Sequence, residues 1–285
     1  MLRRHLLKMA LSAAAIVNFL PVLQLSAEEL WKTLPFPTSY PEPAGSGYSK
    51  VNGARIFHAE WGEGDPVILL HGGLGSIEAW ANQIPAIAGN HRVIAIDSRG
   101  HGRSTRDAQP YSYALMAGDV MGVMDDLGID KAAFVGWSDG GIIALEMAIN
   151  HPERITKALV IGTNYNLSGI DPSIETNETF GAYVAAAANL YAKNSPTPKD
   201  FDTFVGEITG MWGTQPNYTD EQLESIKAPF TVLQALEDEA IIDEHAEKMA
   251  SLIPNAKYIP LEGVSHFAMW QDPARLNALI QDFLE

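Results

Sequence analysis

The sequence predicts an α/β protein in which a mostly parallel central sheet is covered by helices on both faces. Short aliphatic runs without polar interruption recur along the chain, and stretches with apolar residues at helical spacing lie between them. Strands that are apolar at every residue are typical of parallel sheets whose two faces are both buried. Because strand and helix alternate, we expect crossover connections that place helices on both sides of the sheet.

The composition predicts one large domain and excludes several functions. The chain has 285 residues, is 46% hydrophobic and carries a formal net charge of −16, so it can bury a sizeable core. So acidic a surface repels phosphate backbones, and we expect no nucleic-acid partner. The chain has no cysteine, which excludes thiol nucleophiles and disulfides. The histidines show no zinc-binding spacing, so we predict no metal and no cofactor.

Residues 1–27 have the pattern of an export signal. They begin with basic residues, continue with the apolar stretch 9–25 and end with two small residues, as signal peptides do. The adjacent Arg3 and Arg4 resemble a twin-arginine signal, which implies export to the bacterial periplasm. The signal holds three basic residues and no acidic one, so the remaining chain carries a net charge of −19. We expect no stable membrane insertion after its removal, and an uncleaved anchor is the alternative.

Behind the signal, the chain divides into a tether, a core and an insertion. Residues 28–47 are rich in proline and glycine, which favours an extended tether. The α/β core is predicted at 48–166 and 228–285, where Asn52-Gly53 indicates a hairpin. Its strands are predicted at 66–70, 92–96, 132–135, 158–161, 230–234 and 256–260, and its helices at 76–88, 112–127, 140–150 and 273–284.

Residues 167–227 are predicted to form a helical cap inserted into the core. The sequence changes here to two or three helical segments that are rich in aromatic residues and contain no clear strand. An aromatic cap favours a substrate with an apolar or aryl portion, although helical aromatic residues more often pack in a core. We place Trp212 of the cap and Trp137 of the sheet among the candidate substrate contacts.

One strand leads directly into a turn that favours nucleophilic chemistry. Residues 136–140 read Gly-Trp-Ser-Asp-Gly and lie between the apolar run 131–135 and a helical pattern. A serine at the tip of such a strand–turn–helix elbow has an exposed Oγ, and the flanking glycines tolerate the strained backbone. Ser138 is therefore the candidate nucleophile, and an ordinary turn serine is the alternative.

Ser138 needs a base that accepts its proton and an acid that orients the base. In this arrangement the residues follow in the order serine, acid, histidine. His266 follows the last predicted strand and fits as the base, with a packing role as the alternative. Asp238 directly follows the preceding strand, so its carboxylate can lie at the same edge of the sheet. Glu237 and Glu239 flank Asp238 and are the other candidates for the acid.

Acyl transfer also needs backbone N–H groups that bind the oxyanion of the intermediate. One donor is predicted at Asp139, at the start of the helix after Ser138. The other is predicted at Gly73, because the glycine-rich turn at 71–76 lets backbone approach a substrate. A glycine-rich turn without any ligand is the alternative.

Taken together, these motifs resemble the α/β-hydrolase superfamily over residues 48–285. The segments that carry the resemblance are HGGLG at 71–75, DSRGHGRS at 97–104, GWSDGG at 136–141, the acid loop at 238 and VSHF at 264–267. The resemblance implies a serine, aspartate and histidine triad. Residues 135–142 further resemble the valacyclovirase, or biphenyl-hydrolase-like, group, whose members hydrolyse α-amino acid esters. In that group the acid after the nucleophile binds the substrate's ammonium group, and Asp139 matches that position.

The sequence thus predicts an exported, cofactor-independent serine hydrolase that cleaves a small carboxylic ester through an acyl-enzyme, with an α-amino acid ester as one candidate. Perhydrolases of the haloperoxidase type, lactonases and carbon–carbon hydrolases share the triad and are the alternatives within the fold. The alternative of another class is a non-catalytic protein that holds a small ligand. For Asp139, the alternative is a first-turn acid that the helix dipole favours.

Overall fold

The computed structural model describes residues 27–285. The predicted export signal, residues 1–27, lies outside the described residues except for Ala27. Within the described part of the chain, no helix combines the length and the apolar composition needed to cross a membrane.

An eight-stranded sheet runs through the protein. Its strands are β1 (Gly45–Val51), β2 (Ala54–Trp61), β3 (Asp65–Leu70), β4 (His91–Ile96), β5 (Ala132–Trp137), β6 (Ile155–Ile161), β7 (Phe230–Ala235) and β8 (Ala256–Leu261). They lie in the order β1-β2-β4-β3-β5-β6-β7-β8. β2 is antiparallel to both of its neighbours, whereas all other adjacent pairs are parallel. The predicted fold class is confirmed.

Helices cover both faces of this sheet. They are α1 (Ile84–Ile87), α2 (Tyr113–Asp126), α3 (Asp139–Asn150), α4 (Glu178–Asn194), α5 (Phe201–Trp212), α6 (Asp220–Glu224), α7 (Asp243–Leu252), α8 (Ala268–Gln271) and α9 (Pro273–Leu284). α2 packs beside α3, and α1 packs beside α9. Helices and strands share one hydrophobic core, as expected for a layered α/β domain.

The central strands are buried along most of their length. Every residue of β5 and β7 is buried, and the last four residues of β3 are 0% exposed. The uninterrupted apolar runs of the sequence therefore correspond to strands that are covered on both faces. The carboxyl ends of these parallel strands lie at one edge of the sheet, where ligands bind in open α/β proteins.

The turn between β1 and β2 follows the prediction. Asn52 and Gly53 have φ angles of 46° and 83°, the left-handed values that an Asn-Gly hairpin turn requires. β1 begins at Gly45, inside the predicted tether, because the backbone there already pairs with β2. Strand pairing thus extends the core towards the amino terminus beyond the point at which proline and glycine suggest that it starts.

The prediction of a single helix over residues 76–88 is wrong. The structure has a short 3₁₀ turn, Ile77–Trp80, followed by the one-turn helix α1. Pro85 explains the interruption, since proline has no N–H to donate and its ring collides with the carbonyl group four residues earlier. Asp97 fixes the start of the 3₁₀ turn, because its Oδ1 accepts a 2.8 Å hydrogen bond from the Ile77 N–H.

The helices α4, α5 and α6 lie between β6 and β7, within residues 167–227. α4 is tied to the core because Tyr183 Oη donates a 2.6 Å hydrogen bond to the Gly73 carbonyl oxygen. In α5, Phe204 is fully buried, and its ring lies edge-on to His101 with 4.7 Å between the ring centroids. The insertion therefore packs on the loops that follow β3 and β4.

Part of the predicted tether also packs on the folded core. The Phe36 ring lies 5.0 Å from Trp270 and 5.9 Å from Tyr183 of α4, measured between ring centroids. Tyr40 lies edge-on to Trp61 of β2 with 5.5 Å between the ring centroids. This extended segment therefore bridges the core and the insertion.

Candidate active site

Ser138 lies in a sharp turn between β5 and α3. Its φ and ψ angles are 53° and −119°, a strained conformation for a residue with a side chain, of the kind found mainly at functional sites. The turn has no room for side chains beside the serine. A Cβ atom at Gly136 would lie 2.4 Å from Gly140 O, and one at Gly140 would lie 2.1 Å from Leu70 O. The serine is thereby presented at the carboxyl end of the sheet, as in a nucleophile elbow.

Asp238 and His266 form a buried hydrogen-bonded pair. His266 Nδ1 lies 3.0 Å from both carboxylate oxygens of Asp238, and the side chains of His266 and Asp238 are 2% and 0% exposed. The backbone N–H groups of Ala240 and Ile241 donate to Asp238 Oδ1 at 2.8 and 2.9 Å. Since the carboxylate accepts a hydrogen bond from Nδ1, it favours the tautomer whose Nε2 can take up a proton.

Burial and acidic neighbours together set the charge state of His266. Burial lowers the pKa of the imidazole, but the Asp238 carboxylate raises it by its charge and its hydrogen bond, and Glu239 and Asp139 raise it further. The pKa of His266 is therefore above its ordinary value. This direction strengthens the ring as a general base.

Ser138 and His266 line the same cavity, which has a volume of about 620 Å³. Its wall combines loops of the core with α4 and α5, and it is mainly apolar, with Ile174, Phe180 and Ile241 among its residues. Among the described residues, the His266 ring hydrogen-bonds only to Asp238. In ligand-free enzymes the bond between serine and histidine is often long and shortens when substrate binds.

Asp139 lines the same cavity. It accepts hydrogen bonds from Trp212 Nε1 at 2.9 and 3.1 Å and from Tyr113 Oη at 2.9 Å. Asp139 is 7% exposed, and burial raises the pKa of its carboxyl to about 6, although the two donors and His266 lower it. The described part of the cavity wall holds no lysine or arginine. A cationic ligand group would therefore meet a carboxylate that pairs with no lysine or arginine.

We expect Asp139→Asn to stabilise the protein at neutral pH. The folded-state pKa of about 6 lies above the ordinary value of an aspartate, so ionisation of the buried group costs stability. The cost is fully present above the folded pKa, where it is on the order of 1–3 kcal/mol, and it is absent once the group is protonated in both states. Urea unfolding should show the gain at pH 7 and lose it below about pH 4. An equal gain at both pH values would show that charge is not the cause.

Gly73 lies beside the Asp139 carboxylate and does not line the cavity among the residues described. A Cβ atom at position 73 would lie 2.7 Å from Asp139 Oδ2 and 2.2 Å from Trp212 Cζ2, so the backbone passes directly against both side chains. Within residues 27–285, the Gly73 N–H donates no backbone hydrogen bond. Asp139 begins α3, where an N–H group has no partner within the helix. The N–H groups of Gly73 and Asp139, the two predicted oxyanion donors, thus donate no hydrogen bond to a backbone carbonyl among the described residues.

The two predicted tryptophan contacts lie in different places. Trp212 lines the cavity and donates to Asp139. The structure does not bring Trp137 to the described cavity wall, because its ring is 1% exposed and packs against other aromatic rings of the core. Trp137 Nε1 instead donates a 2.9 Å hydrogen bond to the His266 carbonyl oxygen. It therefore holds the histidine loop.

Tyr113 is a residue of the site that the sequence pattern does not reveal. It begins α2, where an apolar face predicts core packing, and the sequence gives no sign that its hydroxyl reaches Asp139. A buried tyrosine usually finds a partner for its hydroxyl, but the partner is determined by the fold. As to metals, no group of three or more histidine, aspartate or glutamate side chains within residues 27–285 could hold an ion.

Comparison with known proteins identifies the family of the fold. A family model for the alpha/beta hydrolase fold matches residues 65–195. The chain is 28% identical to the 2-hydroxy-6-oxo-6-phenylhexa-2,4-dienoate hydrolase of Burkholderia cepacia, over 81% of this chain and 91% of that protein. It is 30% identical to the "Putative carbamate hydrolase RutD" of Caulobacter sp. (strain K31), over 76% of this chain and 90% of that protein.

A solved structure of a further hydrolase is similar to this chain in fold and sequence. Est816, described as an N-acyl homoserine lactone degrading enzyme, matches with a TM-score of 0.67 and 27% identity, covering 83% of this chain and 100% of that chain. The sheet, the elbow and these relatives define a hydrolase. The chain belongs to the alpha/beta hydrolase family.

Proposed function

We propose that this hydrolase cleaves a small carboxylic ester through an acyl-enzyme and that it prefers esters of α-amino acids. The observation that carries the proposal is the Asp139 carboxylate. Asp139 lines the cavity next to Ser138, and the described wall holds no lysine or arginine. The resemblance of residues 135–142 to the valacyclovirase group supports the same class of substrate.

In the proposed reaction, the Ser138 hydroxyl attacks the ester carbonyl carbon while His266 Nε2 accepts the hydroxyl proton. Asp238 keeps the imidazole oriented and stabilises the imidazolium. The N–H groups of Gly73 and Asp139 bind the oxyanion of the tetrahedral intermediate. His266 then protonates the leaving alcohol, and a water molecule that gives its proton to the same ring hydrolyses the acyl-enzyme.

The Asp139 carboxylate can accept one further hydrogen bond. Tyr113 and Trp212 make three contacts to its two oxygens, and a carboxylate offers about four acceptor positions. In an α-amino acid ester, one carbon separates the ammonium group from the carbonyl carbon, so an acid adjacent to the nucleophile is within reach. Out of bulk water, the attraction between ammonium and carboxylate is several times stronger than in solution.

Cleavage of an anionic carbon–carbon substrate fits the cavity less well. The dienoate named for the Burkholderia cepacia relative is a carboxylate anion. Asp139 and the exposed Glu175 give the described cavity wall two acids and no lysine or arginine, so an anion would be repelled. A lactone is a neutral cyclic ester, and the similarity to Est816 makes lactone hydrolysis the second candidate.

We further propose that residues 167–227 act as a cap that selects an apolar substituent. Ile174, Phe180 of α4 and Trp212 of α5 lie on the cavity wall. Burial of a hydrocarbon group against such a wall contributes about 25 cal/mol per Å² of apolar surface. The wall would therefore favour an acyl or alcohol portion with an aliphatic or aryl group.

Asp139→Asn is expected to reduce the preference for an amino acyl ester over its deaminated analogue. The ratio of the two kcat/KM values should fall about tenfold to a hundredfold, because a charge-assisted hydrogen bond is replaced by a neutral one. In the wild-type protein, the ratio should also fall as the pH decreases through about 6, where the Asp139 carboxylate is protonated. The measurement is steady-state hydrolysis of both esters and of an N-acyl homoserine lactone, which carries no ammonium group.

Glu175→Gln is the matched control for this experiment. It removes the other negative charge of the described wall at an exposed position, and screening by water should make its effect on the ratio small. An unchanged ratio in Asp139→Asn would refute the ammonium site. Faster turnover of the lactone than of every open-chain ester would favour the second candidate.

Export to the bacterial periplasm is likewise proposed, on the sequence of residues 1–27 alone. The support is the order of basic, apolar and small residues and the pair Arg3 and Arg4. Recovery of the full-length chain from the cytoplasm of its host, with none in the periplasm, would contradict the proposal.

A further inference from the structure

Three consecutive acidic residues contact the loop that carries His266. Glu237 Oε2 accepts a 2.9 Å hydrogen bond from the Gly263 N–H, and Asp238 binds His266 Nδ1. Glu239 Oε2 accepts a 3.2 Å hydrogen bond from the backbone N–H of His266 itself. His266 is therefore held at two points, at its ring by Asp238 and at its backbone by Glu239.

Glu239 differs from Glu237 in burial and in pairing. Glu239 is 7% exposed, whereas Glu237 is half-buried. The second carboxylate oxygen of Glu239, Oε1, is buried and has no hydrogen-bond partner among the described residues. A buried carboxylate oxygen without a partner is costly. Such groups are concentrated at sites where their charge has a function.

We propose that Glu239 is a positioning residue for His266, which fixes the backbone of the histidine and whose charge favours the imidazolium that forms when Ser138 loses its proton. The inference rests on the proposed function, in which Ser138 is the nucleophile and His266 the base. Glu239 does not line the described part of the cavity. It therefore acts through His266 and not on the substrate.

The charged groups around His266 and Glu239 are carboxylates. The His266 ring faces the carboxylates of Asp238, Glu239 and Asp139, and Glu239 faces His266 and Asp238. Burial raises the pKa of Glu239, the charge of His266 lowers it, and the charge of Asp238 raises it. When the ring takes up a proton, the ionised form of Glu239 gains a positive neighbour. Each charge then favours the other.

Two substitutions of Glu239 separate the effect of its hydrogen bond to the His266 N–H from the effect of its charge. Glu239→Gln keeps an oxygen that can accept the His266 N–H but removes the charge, whereas Glu239→Ala removes both. Glu237→Gln is the matched control, because Glu237 also accepts an N–H of this loop but is not among the charged groups that face the His266 ring.

The proton equilibrium of His266 is measured in two ways, by NMR titration of its ring and by the acid limb of the kcat/KM profile for a short-chain nitrophenyl ester. Glu239→Gln is expected to lower the pKa of His266 and to move the acid limb to lower pH, because a negative charge beside the imidazolium is lost. Glu237→Gln is expected to leave both near the wild-type values. Glu239→Ala should lower kcat about tenfold with little change in KM, and Glu239→Gln should restore most of this loss.

The proposal is overturned if neither the titration nor the acid limb moves in Glu239→Gln, or if both move equally in Glu237→Gln. Full kcat in Glu239→Ala would also overturn it. If thermal unfolding shows that Glu239→Ala does not fold, the proposal is decided by comparing Glu239→Gln with Glu237→Gln. The titration does not require turnover. A wild-type chain that hydrolyses no ester would refute the proposed function, while the titration would still decide the role of Glu239.

Discussion

Ser138→Ala is expected to lower kcat/KM for a short-chain nitrophenyl ester by about four to six orders of magnitude. The substitution removes the oxygen that forms the acyl-enzyme, while the base, the acid and the oxyanion donors stay in place. Some rate above the uncatalysed reaction should persist, because the oxyanion site still binds the transition state. The measurement is nitrophenol release by the wild-type and variant proteins under the same conditions.

Alanine suits this test because it keeps the Cβ atom and so can keep the backbone conformation with φ at 53°. Thermal unfolding of the variant is therefore expected to stay close to that of the wild-type protein. Equal rates in the two proteins would favour the alternative of another class, a protein that binds a small ligand in the cavity without converting it.

Asp238→Asn is expected to lower kcat by about four orders of magnitude. The N–H groups of Ala240 and Ile241 donate to Asp238 Oδ1, so the oxygen of an asparagine would take this position and its NH₂ group would face His266. The NH₂ group can only donate, which forces Nδ1 to accept and leaves the proton on Nε2. In this tautomer the ring cannot take the proton of Ser138.

The pH–rate profile and the Glu237→Gln variant are the comparisons for Asp238→Asn. The loss should appear in kcat across the whole neutral range, because the tautomer and not a titration is the cause. Glu237→Gln should retain most of the activity, since Glu237 bonds to Gly263 and not to the His266 ring. Undiminished activity in Asp238→Asn would return Glu237 and Glu239 to consideration as the acid.

The sheet and the elbow could be predicted because their signals are local. Buried parallel strands favour uninterrupted apolar residues, and β5 and residues 66–70 of β3 are such runs. The elbow follows from Ser138, its flanking glycines and the adjacent strand and helix. The helix predicted at 76–88 is the exception, because Pro85 and the hydrogen bond that the Ile77 N–H donates to the distant Asp97 outweigh the apolar spacing.

The contacts that tune the site could not be predicted, because they join residues that are far apart in the chain. Trp212 and Tyr113 reach Asp139 across 73 and 26 positions, and Glu239 reaches the backbone of His266 across 27 positions. No spacing rule connects such pairs, since the fold alone brings them together. Trp137 illustrates the reverse, because its place next to the nucleophile suggests substrate contact although its ring points into the core.

The hydrogen bonds to Asp139 have a consequence for how substrate choice can diverge among proteins that share this elbow. The acid is one residue after the nucleophile, but its donors come from α2 and α5, which are separate stretches of sequence. A change at Tyr113 or Trp212 would alter the acidity and accessibility of the carboxylate while Gly-Trp-Ser-Asp-Gly stayed intact. Under the proposed ammonium site, two homologues with identical elbows would therefore differ in selectivity through the residues at positions 113 and 212 alone.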